Sequence, residues 1–286
     1  MSRLVDMKRL LLTYEDDDFM FLSTKKFIRI YDEIGIDNEV KRYSKKNNLV
    51  RINGKSYFMK WSSCWNNLEC YTEHIASTFI RECGYSAQET MMGIYGNSPV
   101  VLCKDFTEEH GVLKTFGQIC LNKELWIYEY ELEHLISCFK DIENCNVDAC
   151  VTKLWEMCLF DILIKNIDRH CANGGFCCKN GENILSPLFD NAQSLFHDIE
   201  DDKNFMINTP RGMLTPDLQY FWFEDRHKNK CPSDVLDKFK EIDVISAMDR
   251  STVGIKEDWR SFYRSVVYYR HKCLIKGEEF VWEGMK

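Results

Sequence analysis

The stretch Asn166-Ile167-Asp168-Arg169-His170-Cys171-Ala172-Asn173, followed downstream by Leu188-Phe189-Asp190, decides how this chain is read. Phosphoryl transfer needs one carboxylate to orient an attacking hydroxyl, and a second carboxylate with an amide oxygen to hold Mg²⁺ against the phosphates. Asp168, Asp190 and Asn173 have the residue types and the order for those roles. Asp168 and Asn173 are close enough to share one loop. The apolar run Ile184-Leu185-Ser186-Pro187-Leu188-Phe189 reads as a strand that delivers Asp190 to the same cleft. In the blander alternative Asp168-Arg169-His170 is a solvated loop and the second run an ordinary strand end. Three matching residues alone would not displace that alternative, because short motifs recur by chance. The full order of apolar helix, loop, strand and second aspartate does.

These residues resemble the HipA-like kinases, including smaller relatives of the CtkA type, and more distantly the phosphatidylinositol kinases. The family pattern is an apolar helix, then Asn-x-Asp-Arg-His-x-x-Asn-x-Gly-Phe, then Leu-x-Pro-Leu-Phe-Asp-Asn-Gly. Phe160 to Ile164, Asn166 to Asn173, Gly175-Phe176 and Leu185 to Asn191 meet it. Ala192 stands where a glycine is usual and Lys165 where a small residue is usual. The resemblance implies an α+β, bilobal protein-kinase-like fold. Residues 1–104 would form a nucleotide-binding lobe with a small antiparallel sheet and one helix, and residues 105–286 a larger, mainly helical lobe with the catalytic loop. It implies ATP and Mg²⁺ as cofactors and a protein Ser or Thr as acceptor. Asp168 would be the base, Asn173 and Asp190 the metal ligands, and His170 a brace for the loop or a contact to the γ-phosphate. An antitoxin is the partner the family suggests. Two other classes stay open: a pseudokinase or ATP-binding module, and a lipid or small-molecule kinase. The intact Lys60, Asp168, Asn173 and Asp190 argue against the first, and no basic membrane-facing patch supports the second.

The amino-terminal third supplies the other half of such a site. Leu49-Val50-Arg51-Ile52, Asn53-Gly54 and Ser56-Tyr57-Phe58-Met59-Lys60-Trp61 form a hairpin signature, since Asn-Gly readily takes the positive φ angles of a type I′ turn. Lys60, at the end of the second strand, matches the kinase lysine that reaches the α and β phosphates and is held by a helix glutamate. Ile75, Ala76, Phe79, Ile80 and Cys83 trace that helix, and Gly84 ends it. Glu73 is the family's match for the glutamate, with Glu69 as rival. Pro99 to Cys103 reads as a buried strand leading into a hinge, where backbone groups near Leu102, Cys103 and Lys104 would read adenine. Tyr43-Ser44-Lys45-Lys46-Asn47-Asn48 stands where the family covers the phosphates, yet it has no glycine to let backbone amides approach closely. Lys45 and Lys46 would bind phosphate as point charges, and Ser44 is the candidate for autophosphorylation in that loop.

The 286 residues, 45% hydrophobic, are enough for one bilobal unit with a sizeable core. No run reaches membrane-spanning length and the amino terminus lacks a signal-peptide segment, so a cytoplasmic protein is expected, with secretion as an effector left open. The 14 Cys are scattered without zinc spacing, which suits reduced thiols, and Cys171 reads as a spacer in the loop. A net charge of -8 argues against nucleic acid as a direct partner. The acidic runs Glu15 to Asp18 and Asp198 to Asp202 read as solvated loops. Apolar stripes through Val147 to Ile162, Val235 to Ile242 and Trp259 to Cys273 predict core-facing helices.

Overall fold

A computed structural model describes residues 28–30, 42–44, 47–61, 68–95, 98–120, 132–195 and 231–276. Its first organising element is the Asn53-Gly54 turn, with φ of 51° and 77°, the left-handed pair a type I′ hairpin requires. That turn joins β3 (Asn47–Ile52) to β4 (Lys55–Trp61) with Ile52 opposite Lys55. With β1 (Ile28–Ile30), β2 (Arg42–Ser44), β5 (Thr90–Tyr95) and β6 (Ser98–Lys104), the strands form one sheet in the order β1-β5-β6-β4-β3-β2. All neighbours are antiparallel except β1 and β5, a parallel pair that the expected purely antiparallel sheet omits. Parallel pairing needs a long crossover, and the chain between β1 and β5 provides one.

Between β4 and β5 lies α1 (Glu69–Glu82), whose Ile75, Ala76, Phe79 and Ile80 are fully buried in the core shared with the sheet. Gly84, at φ 86°, lets the chain leave the helix.

After β6 come α2 (Thr107–His110), β7 (Val112–Thr115), α3 (Phe116–Cys120), α4 (Leu132–Phe139) and α5 (Val147–Ile164). The Asn146 side chain caps α5 by accepting from the Ala149 amide at 3.1 Å, and Lys165 in the left-handed region closes it. A second sheet pairs β7 with β8 (Gly175–Lys179) and β8 with β9 (Glu182–Leu185). Gly175 is needed there: a Cβ would sit 2.3 Å from the Lys114 carbonyl oxygen. The helices α6 (Ser233–Lys240), α7 (Val244–Ser251) and α8 (Glu257–Lys276) complete the described chain.

Two expectations need correction. The strand expected to run through Leu188-Phe189 stops at Leu185, because Pro187 has no N–H to continue a ladder. Leu188 bridges to Ala87 instead: the Gln88 amide donates to the Leu188 carbonyl at 2.8 Å, and the Leu188 amide donates to the Ser86 carbonyl at 3.0 Å. The second helical stripe ends with α6 at Lys240, leaving Ile242 in the following turn. One core runs from α1 through α5 to α6, with Phe79 and Phe160 centroids 6.3 Å apart and Phe160 and Phe239 5.2 Å apart. Among the described residues no helix is long and apolar enough to cross a membrane.

Candidate active site

The loop after α5 is organised by a carboxylate inside the helix. Asp161 lies in an otherwise apolar, buried turn and is 1% exposed. Its oxygens accept from Arg169 Nε at 2.9 Å and Nη2 at 3.0 Å, and from Asn166 Nδ2 at 3.0 Å. A fully buried guanidinium needs such an arrangement, because its planar fork matches a carboxylate bidentately and leaves no charge unpaired. The remaining Arg169 donors set the backbone around the site. Nη1 donates to the carbonyls of Asn173 at 2.6 Å and Phe189 at 2.5 Å, and Nη2 also donates to Asn191 Oδ1 at 2.6 Å. Asn166 Oδ1 accepts from the Asp168 amide and Asn173 Nδ2 donates to the Asp168 carbonyl, so Asp168 is fixed from both sides.

The sheet meets this loop through Lys60. Its Nζ donates to Glu73 Oε2 at 3.0 Å and to Asp190 Oδ1 at 2.7 Å, joining β4, α1 and the segment after Phe189. Glu73, and not its rival Glu69, is therefore the lysine's helix partner. Glu73 is completely buried, and its other oxygen accepts from the Asn191 amide at 3.0 Å and the Ser77 hydroxyl at 3.3 Å. Thr72 Oγ1 donates to the Ala192 carbonyl at 2.5 Å, a second tie between α1 and this segment. Asp190 has φ 56°, a strained conformation for a non-glycine residue that its bond to Lys60 helps to hold.

The electrostatics follow from this geometry. Burial pulls Lys60 down, but Glu73 and Asp190 outweigh it and hold the ammonium well above the ordinary lysine range. Burial pushes Asp190 up, and the Lys60 charge and hydrogen bond bring it below the ordinary carboxylate range. Asp168 is raised, by burial first and by Asp190, with His170 opposing. The Ala172 amide donates to His170 Nδ1 at 3.1 Å, so a neutral ring carries its proton on Nε2, which stands 3.8 Å from Asp168 Oδ2. Among the described residues no group of three His, Cys, Asp or Glu is gathered as a metal cage. The donor set does suit Mg²⁺ carried by a nucleotide, which takes one or two carboxylates and keeps its phosphate oxygens and waters.

The other expected residues fall in different places. Leu102 and Cys103 lie near the end of β6, paired with β4 on one side and β5 on the other, and are completely buried. The Lys104 amide donates to the Glu89 carbonyl, its carbonyl accepts from Gln88 Nε2, and its ammonium meets Glu89 and Glu109. Ser44 ends β2 at a sheet edge, while Lys45, Lys46 and both acidic runs lie outside the described residues. Cys171 is buried and its thiol raised by that burial, which makes it a poor nucleophile. Sequence reading quoted Asn166 and Asn191 within the motif without giving them a role, and missed Asp161 and Ser77. The local signal for Asp161 was a carboxylate inside the run Cys158-Leu159-Phe160-Asp161-Ile162-Leu163-Ile164, where an acid must have a partner.

The model of the HipA-like C-terminal domain matches residues 36–257, and the chain belongs to that family. It is 27% identical over 234 residues to the serine/threonine-protein kinase CtkA of Helicobacter pylori, spanning 72% of this chain and 71% of that protein. The crystal structure of that proinflammatory kinase superposes with a TM-score of 0.66 at 21% identity, over 80% of this chain and 91% of the other. HipA of Shewanella oneidensis, solved with HipB and operator DNA, superposes with a TM-score of 0.54 at 12% identity, over 96% and 70% of the two chains. The α+β fold described above is the fold of those kinases.

Proposed function

We propose that this chain is an ATP- and Mg²⁺-dependent kinase that transfers the γ-phosphate to a protein Ser or Thr hydroxyl. The observation that carries the reading is the convergence of Lys60, Glu73 and Asp190 beside the Asp168 loop, from segments as far apart as β4 and the residues after Phe189. ATP would lie between a nucleotide-binding part, residues 1–104, and a catalytic part, residues 105–286. Lys60 would leave Asp190 for the α and β phosphates, with Glu73 keeping it in place. Asp190 and the Asn173 amide oxygen would hold Mg²⁺, which would supply positive charge against the phosphates. Asp168 would take the proton of the acceptor hydroxyl as its oxygen bonds to phosphorus and ADP leaves. Its raised carboxyl makes it a better base than a free aspartate. His170 braces Asp168 in this scheme and does not replace it. Adenine would dock where β6 ends, at Lys104, whose carbonyl keeps a second lone pair beyond the bond from Gln88.

The HipA–HipB complex supports an antitoxin partner, and Ser44 is the candidate for self-modification that the resemblance implies. Phosphate there would add up to about two negative charges beside the nucleotide's own and oppose ATP binding. One experiment addresses these points. Purified protein is incubated with Mg·ATP and a host lysate, and phosphopeptides are mapped. Asp168→Asn should fold and bind ATP but lose transfer by at least ~100-fold. Near-normal turnover would refute the assignment. Phosphate at Ser44 should appear in the wild type and not in Asp168→Asn, and its absence from an active enzyme would remove the self-inhibition reading.

A further inference from the structure

Asn191 has no part in the chemistry above, yet it is completely buried and uses both ends of its side chain and its backbone amide. Its Oδ1 accepts from Arg169 Nη2 at 2.6 Å, its Nδ2 donates to Ser77 Oγ at 3.0 Å, and its amide donates to Glu73 Oε1 at 3.0 Å. Ser77, one turn beyond Glu73 on α1, in turn donates to the same Glu73 oxygen at 3.3 Å. A continuous chain of bonds therefore runs from Asp161 through Arg169, Asn191 and Ser77 to Glu73 and Lys60. Arg169 is the neighbour of Asp168 and holds the carbonyls of Asn173 and Phe189. The base, the metal ligands and the phosphate lysine thus share one buried frame.

We propose that Asn191 is a positioning residue that aims Glu73 at Lys60 only when Arg169 is seated in the catalytic loop, so that the lysine and the loop are assembled together. The inference rests on the kinase reading for what Lys60 does, but not for the linkage itself. Physically, Glu73 Oε1 lies in a fully buried place, where a carboxylate needs each hydrogen bond it receives. Removing the Asn191 side chain takes away the donor that orients Ser77 and leaves an Arg169 donor unsatisfied. Glu73 keeps the bond from the Asn191 backbone amide but loses the oriented Ser77 donor, so its carboxylate is free to turn and its contact with Lys60 weakens. A purely packing role for Asn191 would change stability by the same amount whether or not Lys60 is present.

The test reads that linkage without any nucleotide. Asn191→Ala and Lys60→Met are made singly and together in the intact chain, and urea denaturation followed by circular dichroism gives the stability of each. If Asn191 aims Glu73 at Lys60, part of the loss in Asn191→Ala is the weakened lysine contact, so the loss should be smaller in the Lys60→Met background. Ser77→Ala, which keeps a good helix former and serves if Asn191→Ala does not fold, should couple to Lys60→Met in the same sense. Additive losses in the folded variants would overturn the proposal. In the wild type, protection of Lys60 from acetylation by Mg·ATP reports on the kinase reading separately. No protection would sink that reading while leaving the coupling valid.

Discussion

Lys60 on β4 and Lys104 on β6 make the same contacts on paper. Each ammonium meets two carboxylates, at 3.0 and 2.7 Å for Lys60 and at 2.9 and 2.6 Å for Lys104. Their partners differ. Lys60 has one fully buried partner, Glu73, beside Asp190 at 38% exposed, whereas both partners of Lys104, Glu89 and Glu109, are 46% and 55% exposed. Lys60 also joins segments distant in the chain, while Glu109 is only five residues from Lys104. Distance and charge alone would rank the two clusters equally. Burial separates them, because water and salt screen an exposed pair and a buried partner has nothing else to satisfy it. Lys60 is accordingly tied into a frame, while Lys104, itself buried, reaches partners at the surface.

The frame's anchor should show the largest effect. Asp161→Ala removes the carboxylate that neutralises Arg169, leaving a buried cation without its bidentate partner. Loss of one member of such a pair destabilises by about 3–5 kcal/mol. Urea denaturation followed by circular dichroism should give a loss of unfolding free energy of that size. A change under about 1 kcal/mol would mean that burial does not distinguish the frame from the surface.

Next in size, Lys60→Met should lower phosphotransfer by about 100-fold with the fold retained, as expected for losing one preorganised positive group. Full activity would transfer the phosphate role to Lys45 or Lys46. The variant should also change the acid limb of stability. Asp190 is held below its ordinary range by Lys60, so its contribution is present above the unfolded carboxylate pKa and is lost as pH falls through the depressed folded value. Lys60 is raised, so its contribution is present below the unfolded lysine pKa and is lost as pH rises through the folded value. Without Lys60, both losses should shrink in a pH series of thermal melts.

How much of this was legible beforehand depended on the range of the signal. The Asn53-Gly54 hairpin, α1 and α5 follow from turn chemistry and helical periodicity, which are written locally. Asp168, Asn173 and Asp190 were legible because a motif fixes their order. Asn191 sat in the same motif, but its role depends on Ser77 and Glu73, which are more than a hundred residues away. The sheet β7–β8–β9 was missed because Val112–Thr115 is short and largely exposed, with little apolar pattern to declare a strand. The early end of β9 was readable from Pro187 alone, and the apolar run around it hid that sign.

The smallest effect should come from the second lysine. Lys104→Met removes an ammonium raised by the hydrogen bonds it donates to Glu109 and Glu89, and both carboxylates are lowered in return. Those shifts resemble the Lys60 cluster in direction, yet they convert poorly into stability, because half-exposed glutamates regain water when the partner leaves. Exposed pairs contribute roughly 0–1 kcal/mol, and salt reduces even that. The aliphatic stem of Lys104 is itself buried, and methionine preserves much of that packing. The melting temperature of Lys104→Met should therefore lie within a few degrees of the wild type, and the difference should shrink as salt is raised from low to molar concentration. A large, salt-insensitive loss would place Lys104 in a frame like that of Lys60 and erase the distinction between the two clusters.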